Sequence, residues 1–428
     1  MKSSLKSFFK LLPPALLLCL LSCGKNGGSE SPEGGQDKEE TIEIEIKGTL
    51  VRTSTADPCL LYKDGFFYMT MTGSSNLAMV VDREIPKLST AFHPIDPSIY
   101  IYQSSADPSV EALYGEGAKI NGTWSPEIHY LSEEDCPGNS GWYLLFAIRK
   151  ENVVNGSVNS EFIRMVVLKS LTGSPRGPWV NPVDGTVGKT QPLLTSDGKV
   201  YTDWGCGQSL LKIPSGKHKG IYITWVAEEG RGQGYGKFYQ KLMIAKMKSP
   251  WQMDGEPAIL TTPTQDWEKA GASSTLPMVV EGGTAVYGEK GEIFMAYCGS
   301  GYWSDYGLGQ LTLLRDSDGD YADPTVSESW VKYENNPVFS SKNSADLRGA
   351  GHAFFLKDAA GRRFMCYHGY PYKDGTKSSS RNAYMESYEI DSEAVCESAP
   401  YGVLRFGLRG DGQSASTGTA YTFSYLKR

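Results

Sequence analysis

The sequence predicts an all-β chain folded as one five-bladed β-propeller domain, and three observations carry that expectation. One pattern recurs five times, with openings at residues 57, 124, 207, 281 and 352. Each copy has a small or acidic opening, two apolar residues, a polar turn and an aromatic run. The 48 Gly and 23 Pro, with 25 Tyr against 15 Phe and 9 Trp, suit many short strands joined by tight turns. Amphipathic helix periodicity is almost absent.

The five units are Asp57 to Met71 (DPCLLYKDGFFYMTM), Trp124 to Ile148, Gly205 to Ala227, Glu281 to Gly299 and Gly349 to Tyr370. Each holds two runs of roughly five or six apolar, β-prone residues around a polar turn, as a hairpin requires. A period near seventy residues fits a four-stranded blade with generous loops. Outer strands are signalled by Gly177-Pro178-Trp179, Ser249-Pro250-Trp251 and Ser329-Trp330. The β-prone segment from Tyr401 to Leu426 is expected to complete or latch a blade, and ring closure removes exposed edges.

Ahead of the units lies an address. Lys2, Lys6 and Lys10 precede an apolar run from Leu11 to Leu21, too short to span a bilayer. The run enters Leu20-Leu21-Ser22-Cys23-Gly24, which resembles the lipobox of bacterial lipoproteins, with an ordinary secretory signal as the plainer alternative. The expected organisation is therefore a signal peptide over 1–22, lipidated Cys23 with a flexible tether over 23–48, and the propeller over 49–428. Gly24 to Glu40 is polar and Gly-rich, as a tether should be. Such a chain is extracytoplasmic and held to a bacterial membrane by lipid, the outer membrane or cell surface being favoured. Six Cys remain beyond Cys23, widely spaced and without zinc-type pairing, so no disulfide framework and no structural zinc are expected. A net charge of −7 gives no electrostatic reason to expect nucleic acid as a partner.

Inner strands of a propeller converge on one channel, so the residues that open them share a funnel. Asp57, Trp124 with Glu127, Gly207 with Gln208, Glu281 and His352 hold those places. Two acidic residues on separate blades can act across such a funnel, one activating water and the other protonating a leaving oxygen.

The order A-D-P…D-G-F-F-Y (Ala56 to Tyr68), W-S-P-E-I-H (Trp124 to His129), G-P-W (Gly177 to Trp179), E-G-G (Glu281 to Gly283) and G-A-G-H (Gly349 to His352) resembles family 43 glycoside hydrolases. The stretches from Met247 to Glu268 and Tyr297 to Leu311 resemble the branch holding α-L-arabinofuranosidase-like and β-xylosidase-like members. The resemblance implies a five-bladed, inverting hydrolase of arabinose- or xylose-containing plant cell-wall polysaccharides or oligosaccharides. It also implies Asp57 as general base and Glu281 as general acid; alone, each would read as a turn or cap residue. Trp124 reads from its own chemistry as a flat wall for a sugar ring, with blade packing as the alternative, and the resemblance implies Arg381 as a substrate contact. His352 matches a channel-facing His that binds substrate and in some members a cation, so calcium in the channel is an expectation, with no cofactor required. Glu127 reads as a structural partner, and Asp316 to Asp320 (DSDGD) as a polar turn.

The family places a third carboxylate, an Asp that tunes the acid, at the opening of the third unit. Here Gly207 stands opposite Asp57, and no acidic residue lies between Gly205 and Lys212. Three arrangements meet this departure: Asp203 reaches the site through a shifted loop, Gln208 orients the acid by hydrogen bonding, or catalysis is impaired. The last leaves a carbohydrate-binding surface lipoprotein as the alternative function, and a change of sugar, for instance to galactose, as a third.

Overall fold

The turn Asp64-Gly65 places both residues in the left-handed region (φ 52° and 75°), the geometry of a tight hairpin, and joins strands Cys59–Lys63 and Phe66–Thr70. With Asn76–Asp82 and Tyr100–Gln103 these form blade I, in the order of the chain. The structure is a computed structural model and describes residues 40–47, 49–85, 100–151, 153–154, 157–158, 163–406 and 420–427. The 1–22 and most of the 23–48 assignments, with Cys23, lie outside the described residues. Residues 40–428 form one contact unit.

Four more antiparallel sheets repeat the plan. Their innermost strands are Ile120–Leu131 (blade II), Cys206–Ile213 (III), Val280–Tyr287 (IV) and Leu347–Lys357 (V). Two predicted outer strands appear at Trp179–Val180 and Trp330–Lys332, and a third at Gln252–Met253, one residue beyond its signal. Among the described residues the single α-helix is Ser109–Tyr114, so the all-β expectation holds. No helix of the described residues is long and apolar enough to cross a membrane.

Closure differs from expectation. The outermost strand of blade V is Leu50–Arg52, from the N-terminal side, paired with Asn382–Asp391. Val403–Phe406 adds to the other end of that same strand. Ala420–Leu426 instead pairs antiparallel with Thr41–Lys47 in a separate two-stranded ribbon. Thr41–Lys47, expected as part of a tether over 23–48, is instead a strand: Thr-Ile-Glu-Ile-Glu-Ile-Lys alternates as a strand does, and Ile46 is buried. The ribbon's Tyr421, Phe423 and Tyr425 pack with Tyr62, Phe67 and Phe364, sealing the seam between blades I and V.

One backbone feature recurs at the axis. Asp57, Ser125, Gly207, Gly282 and His352, one per blade, all have φ between 47° and 60°. In blades II to V the register shifts there, the mark of a bulge that re-aims side chains. A bulge frees a carbonyl from the ladder, and the neighbouring blade supplies its partner. Thr70 donates to Pro126 O (3.1 Å), Thr224 to Gly283 O (3.0 Å) and Thr284 to Ala353 O (3.0 Å). Among the described residues Cys59, Cys136, Cys206, Cys298 and Cys366 are buried free thiols, and Cys396 is an exposed one.

Candidate active site

Left-handed backbone costs a residue with a Cβ about 1–3 kcal/mol, and glycine far less. Asp57, Ser125 and His352 carry that strain, and all three line one cavity of about 240 Å³ at the axis. The bulges bring the preceding residues Trp124, Cys206 and Glu281 into the same wall, and Arg381 and Tyr302 enter from loops of blades V and IV.

Asp57 is held from both sides. Thr72 Oγ1 donates to Oδ2 (2.5 Å) and itself accepts from the Ser125 amide (2.9 Å). Oδ1 receives Arg381 (3.1 Å) and faces His352 Nδ1 at 3.7 Å. His368 Nδ1 lies 3.1 Å from both Oδ1 and the Asp57 amide nitrogen. Burial alone would raise this carboxyl. Arg381, His352 and the hydrogen bond with His368 outweigh it and hold Asp57 well below the usual carboxylate range. The His368 ring is pushed down to about 3, by burial first and then by Arg381, so it stays neutral.

Glu281 moves the other way. Burial raises its carboxyl and the charge on Asp57 adds to that, against the lowering effects of His352, the Tyr306 hydrogen bond and Arg381. Tyr306 Oη donates to Oε1 at 2.7 Å, and its ring stacks on His368 at 5.6 Å and 1°. The two carboxyls of one cavity are therefore displaced in opposite directions, Asp57 towards the ionised form and Glu281 towards the protonated one, the division of labour that acid–base chemistry needs.

Trp124 lines the cavity half-buried, its ring held by the Arg149 guanidinium at 4.7 Å. Arg381 packs over the Tyr302 ring at 5.0 Å, and Tyr302 is 40 % exposed at the rim. Two expected site residues are not brought in. Gln208 is fully buried and donates to Phe146 O (2.5 Å) and Val166 O (3.3 Å), tying blade III to blade II. The bulge at Gly207 turns it away from the funnel, so it is a structural tie and not a substrate or acid contact. Asp203 is exposed and outside the cavity wall, whereas the next residue, Trp204, lines it. Asp203 therefore does not tune Glu281.

Glu127 pairs with His129 at 2.7 Å, the structural role expected of it. The calcium expectation finds no ligand set. Among the described residues no group of three or more His, Cys, Asp or Glu could hold a metal. His352 faces Asp57 at 3.7 Å and stacks on His368 (5.9 Å, 13°). Sequence reasoning missed Thr72, His368 and Tyr306. The last two stood as lone polar groups within aromatic strand or loop runs, a pattern that demands a buried partner.

The family model for Glycosyl hydrolases family 43 matches residues 46–394. The chain belongs to that family. The extracellular exo-α-(1→5)-L-arabinofuranosidase of Streptomyces avermitilis is 25 % identical over 323 residues, covering 74 % of this chain and 55 % of that protein. Alpha-L-arabinofuranosidase 43 of Humicola insolens is 26 % identical over 325 residues, with the same coverage of 74 % and 55 %. The chain thus spans about half the length of these curated relatives. Among solved structures, the α-L-arabinofuranosidase of Lactobacillus brevis superposes with a TM-score of 0.58 at 22 % identity, covering 83 % of this chain and 95 % of that one. An endo-1,4-beta-xylanase of Bacteroides thetaiotaomicron gives 0.53 at 17 %, covering 89 % and 100 %. At these identities the two structures speak for the propeller fold alone.

Proposed function

We propose that this family 43 chain is an inverting glycoside hydrolase that releases arabinofuranosyl groups from plant cell-wall arabino-oligosaccharides or polysaccharides. The observation that carries the reading is the pair of carboxyls in one cavity with acidities displaced in opposite directions, Asp57 down and Glu281 up. Asp57, ionised and fixed by Thr72 and Arg381, takes the proton of a water. Glu281, protonated and oriented by Tyr306, gives its proton to the departing glycosidic oxygen. Trp124 offers a flat face to the sugar ring, and Arg381 and His352 line the same cavity as polar contacts. The relatives named for arabinofuranosidase activity support arabinose over xylose.

Asp57→Asn and Glu281→Gln should each lower kcat on an arabino-oligosaccharide by several orders of magnitude with melting temperature retained, and NMR of the wild-type reaction should show the inverted anomer first. Unchanged rates in either variant would remove that residue from its role, and retained configuration would refute the mechanism. The purely carbohydrate-binding alternative predicts no released sugar at all. We also infer an extracytoplasmic location with lipid on Cys23, supported by the lipobox-like Leu20 to Gly24 and by the relative named as extracellular.

A further inference from the structure

The cavity at the axis is small. Its volume of about 240 Å³ lies below the roughly 300–1,000 Å³ of pockets that enclose drug-sized molecules. It takes in one sugar ring, so the sugar on the far side of the scissile bond rests outside, on the rim. Of the described residues that line the cavity, Tyr302 alone is exposed. It belongs to the loop of residues 300–306, between strands Ile293–Gly299 and Gly307–Leu313 of blade IV. The same loop ends on Tyr306, whose hydroxyl donates to Glu281 Oε1 at 2.7 Å. The rim aromatic and the group that orients the acid thus share one short loop.

That loop is held from several sides. The Ser300 amide donates to Glu268 O (3.2 Å), while the Gly301 amide and Ser300 Oγ donate to Ala270 O (3.2 and 2.9 Å). Glu268 is fully buried and paired with Lys332 at 2.6 Å, which fixes the turn that offers these carbonyls. The Trp303 indole donates to Gly271 O (2.9 Å), and Lys377 of blade V donates to Trp303 O (3.2 Å). The rings of Tyr302 and Trp303 meet in a T-shaped contact at 5.0 Å, and the Arg381 guanidinium packs over Tyr302 at 5.0 Å. Tyr302 is therefore positioned before substrate arrives, and ordering it costs little on binding.

We propose that Tyr302 is a specificity-determining residue: its ring is the platform for the leaving sugar, the unit next to the arabinofuranosyl group in the cavity. The inference rests on the proposed acid role of Glu281. In a single displacement the leaving oxygen lies on the side of the acid, away from the water activated by the base. The sugar attached to that oxygen emerges beside Glu281, on blade IV, where Tyr302 stands open to solvent. An aromatic face matches the apolar C–H face of a sugar ring, and a Tyr side chain loses little freedom in offering it. Binding energy gained there is felt in kcat/KM for a substrate with a second sugar, and not for one without.

The test compares kcat/KM of the full chain on an arabinofuranosyl disaccharide and on arabinofuranosyl fluoride, which carries no second sugar. In Tyr302→Ala the ratio of the two should fall roughly tenfold, while Tyr302→Phe, which keeps the ring, should hold it within about twofold of wild type. Tyr302 is exposed, so its truncation opens no core. Equal losses on both substrates in Tyr302→Ala mark a displaced Arg381 and overturn the proposal, as does a ratio that falls as far in Tyr302→Phe. Glu281→Gln separates the two readings. If that variant hydrolyses the disaccharide at the wild-type rate, the acid role falls and the Tyr302 inference with it. If it loses the disaccharide while Tyr302→Ala leaves the ratio unmoved, only the Tyr302 inference falls.

Discussion

Arg381→Met should slide the whole pH–activity profile upward, the acid limb further than the alkaline one. The guanidinium stands 3.1 Å from Asp57 Oδ1, in a pocket where the Asp57 side chain is 12 % exposed and that of Arg381 20 %. At an effective dielectric of about 20, unit charges about 4 Å apart attract by about 4 kcal/mol, of which desolvation and the neighbouring groups leave only part as net effect. A neighbouring Arg lowers an Asp by about one to three pH units, so its removal should raise the acid limb by about that amount. Arg381 also lowers Glu281, but as the smallest of the causes at that residue, so the alkaline limb should follow by less. The stability sign is the same: because Asp57 is depressed in the fold, its stabilisation is present above the ordinary Asp range and lost as pH falls through its folded value. In the variant less of that stabilisation exists, and its loss is complete at a higher pH. The assay is kcat/KM against pH on an aryl arabinofuranoside, with melting temperature measured at each pH. A lost substrate contact would lower the height of the profile without moving it. An acid limb that stays in place would refute the claim that Arg381 sets the charge of Asp57.

Gln208→Leu should destabilise the fold by about 1–3 kcal/mol, because Phe146 O and Val166 O lose their donor. Chemical denaturation measures this, and kcat/KM should stay within about twofold of wild type, whereas a substrate contact would show a raised KM. Cys23→Ser should abolish incorporation of a labelled fatty acid and release the protein from the membrane fraction of expressing cells. Labelling that persists would refute lipidation at that residue.

The blade count and the order of the site were legible because they follow local rules. Alternation and Asp-Gly turns mark hairpins wherever they occur, and a repeat near seventy residues leaves few other closed β architectures. Asp57 and Glu281 could be placed because each opens an inner strand, and inner strands of a closed ring share an axis. The ribbon of Thr41–Lys47 with Ala420–Leu426 was half legible: its Thr-Ile-Glu-Ile-Glu-Ile-Lys alternation announces a strand, while its partner lies at the opposite end of the chain. Gln208 was misread because a single bulge at Gly207 decides whether the next side chain faces the funnel or the neighbouring blade.

Amino-acid order alone thus determined strand identity, the five-fold repeat and which carboxyls open which strands, since these depend on neighbours within about ten residues. The tertiary structure decided their chemistry. Arg381, His352 and His368, some three hundred residues from Asp57 in sequence, hold it ionised, while burial raises Glu281. Acidity is set by solvent exclusion and by charges within a few ångströms, and closure of the ring determines which those are.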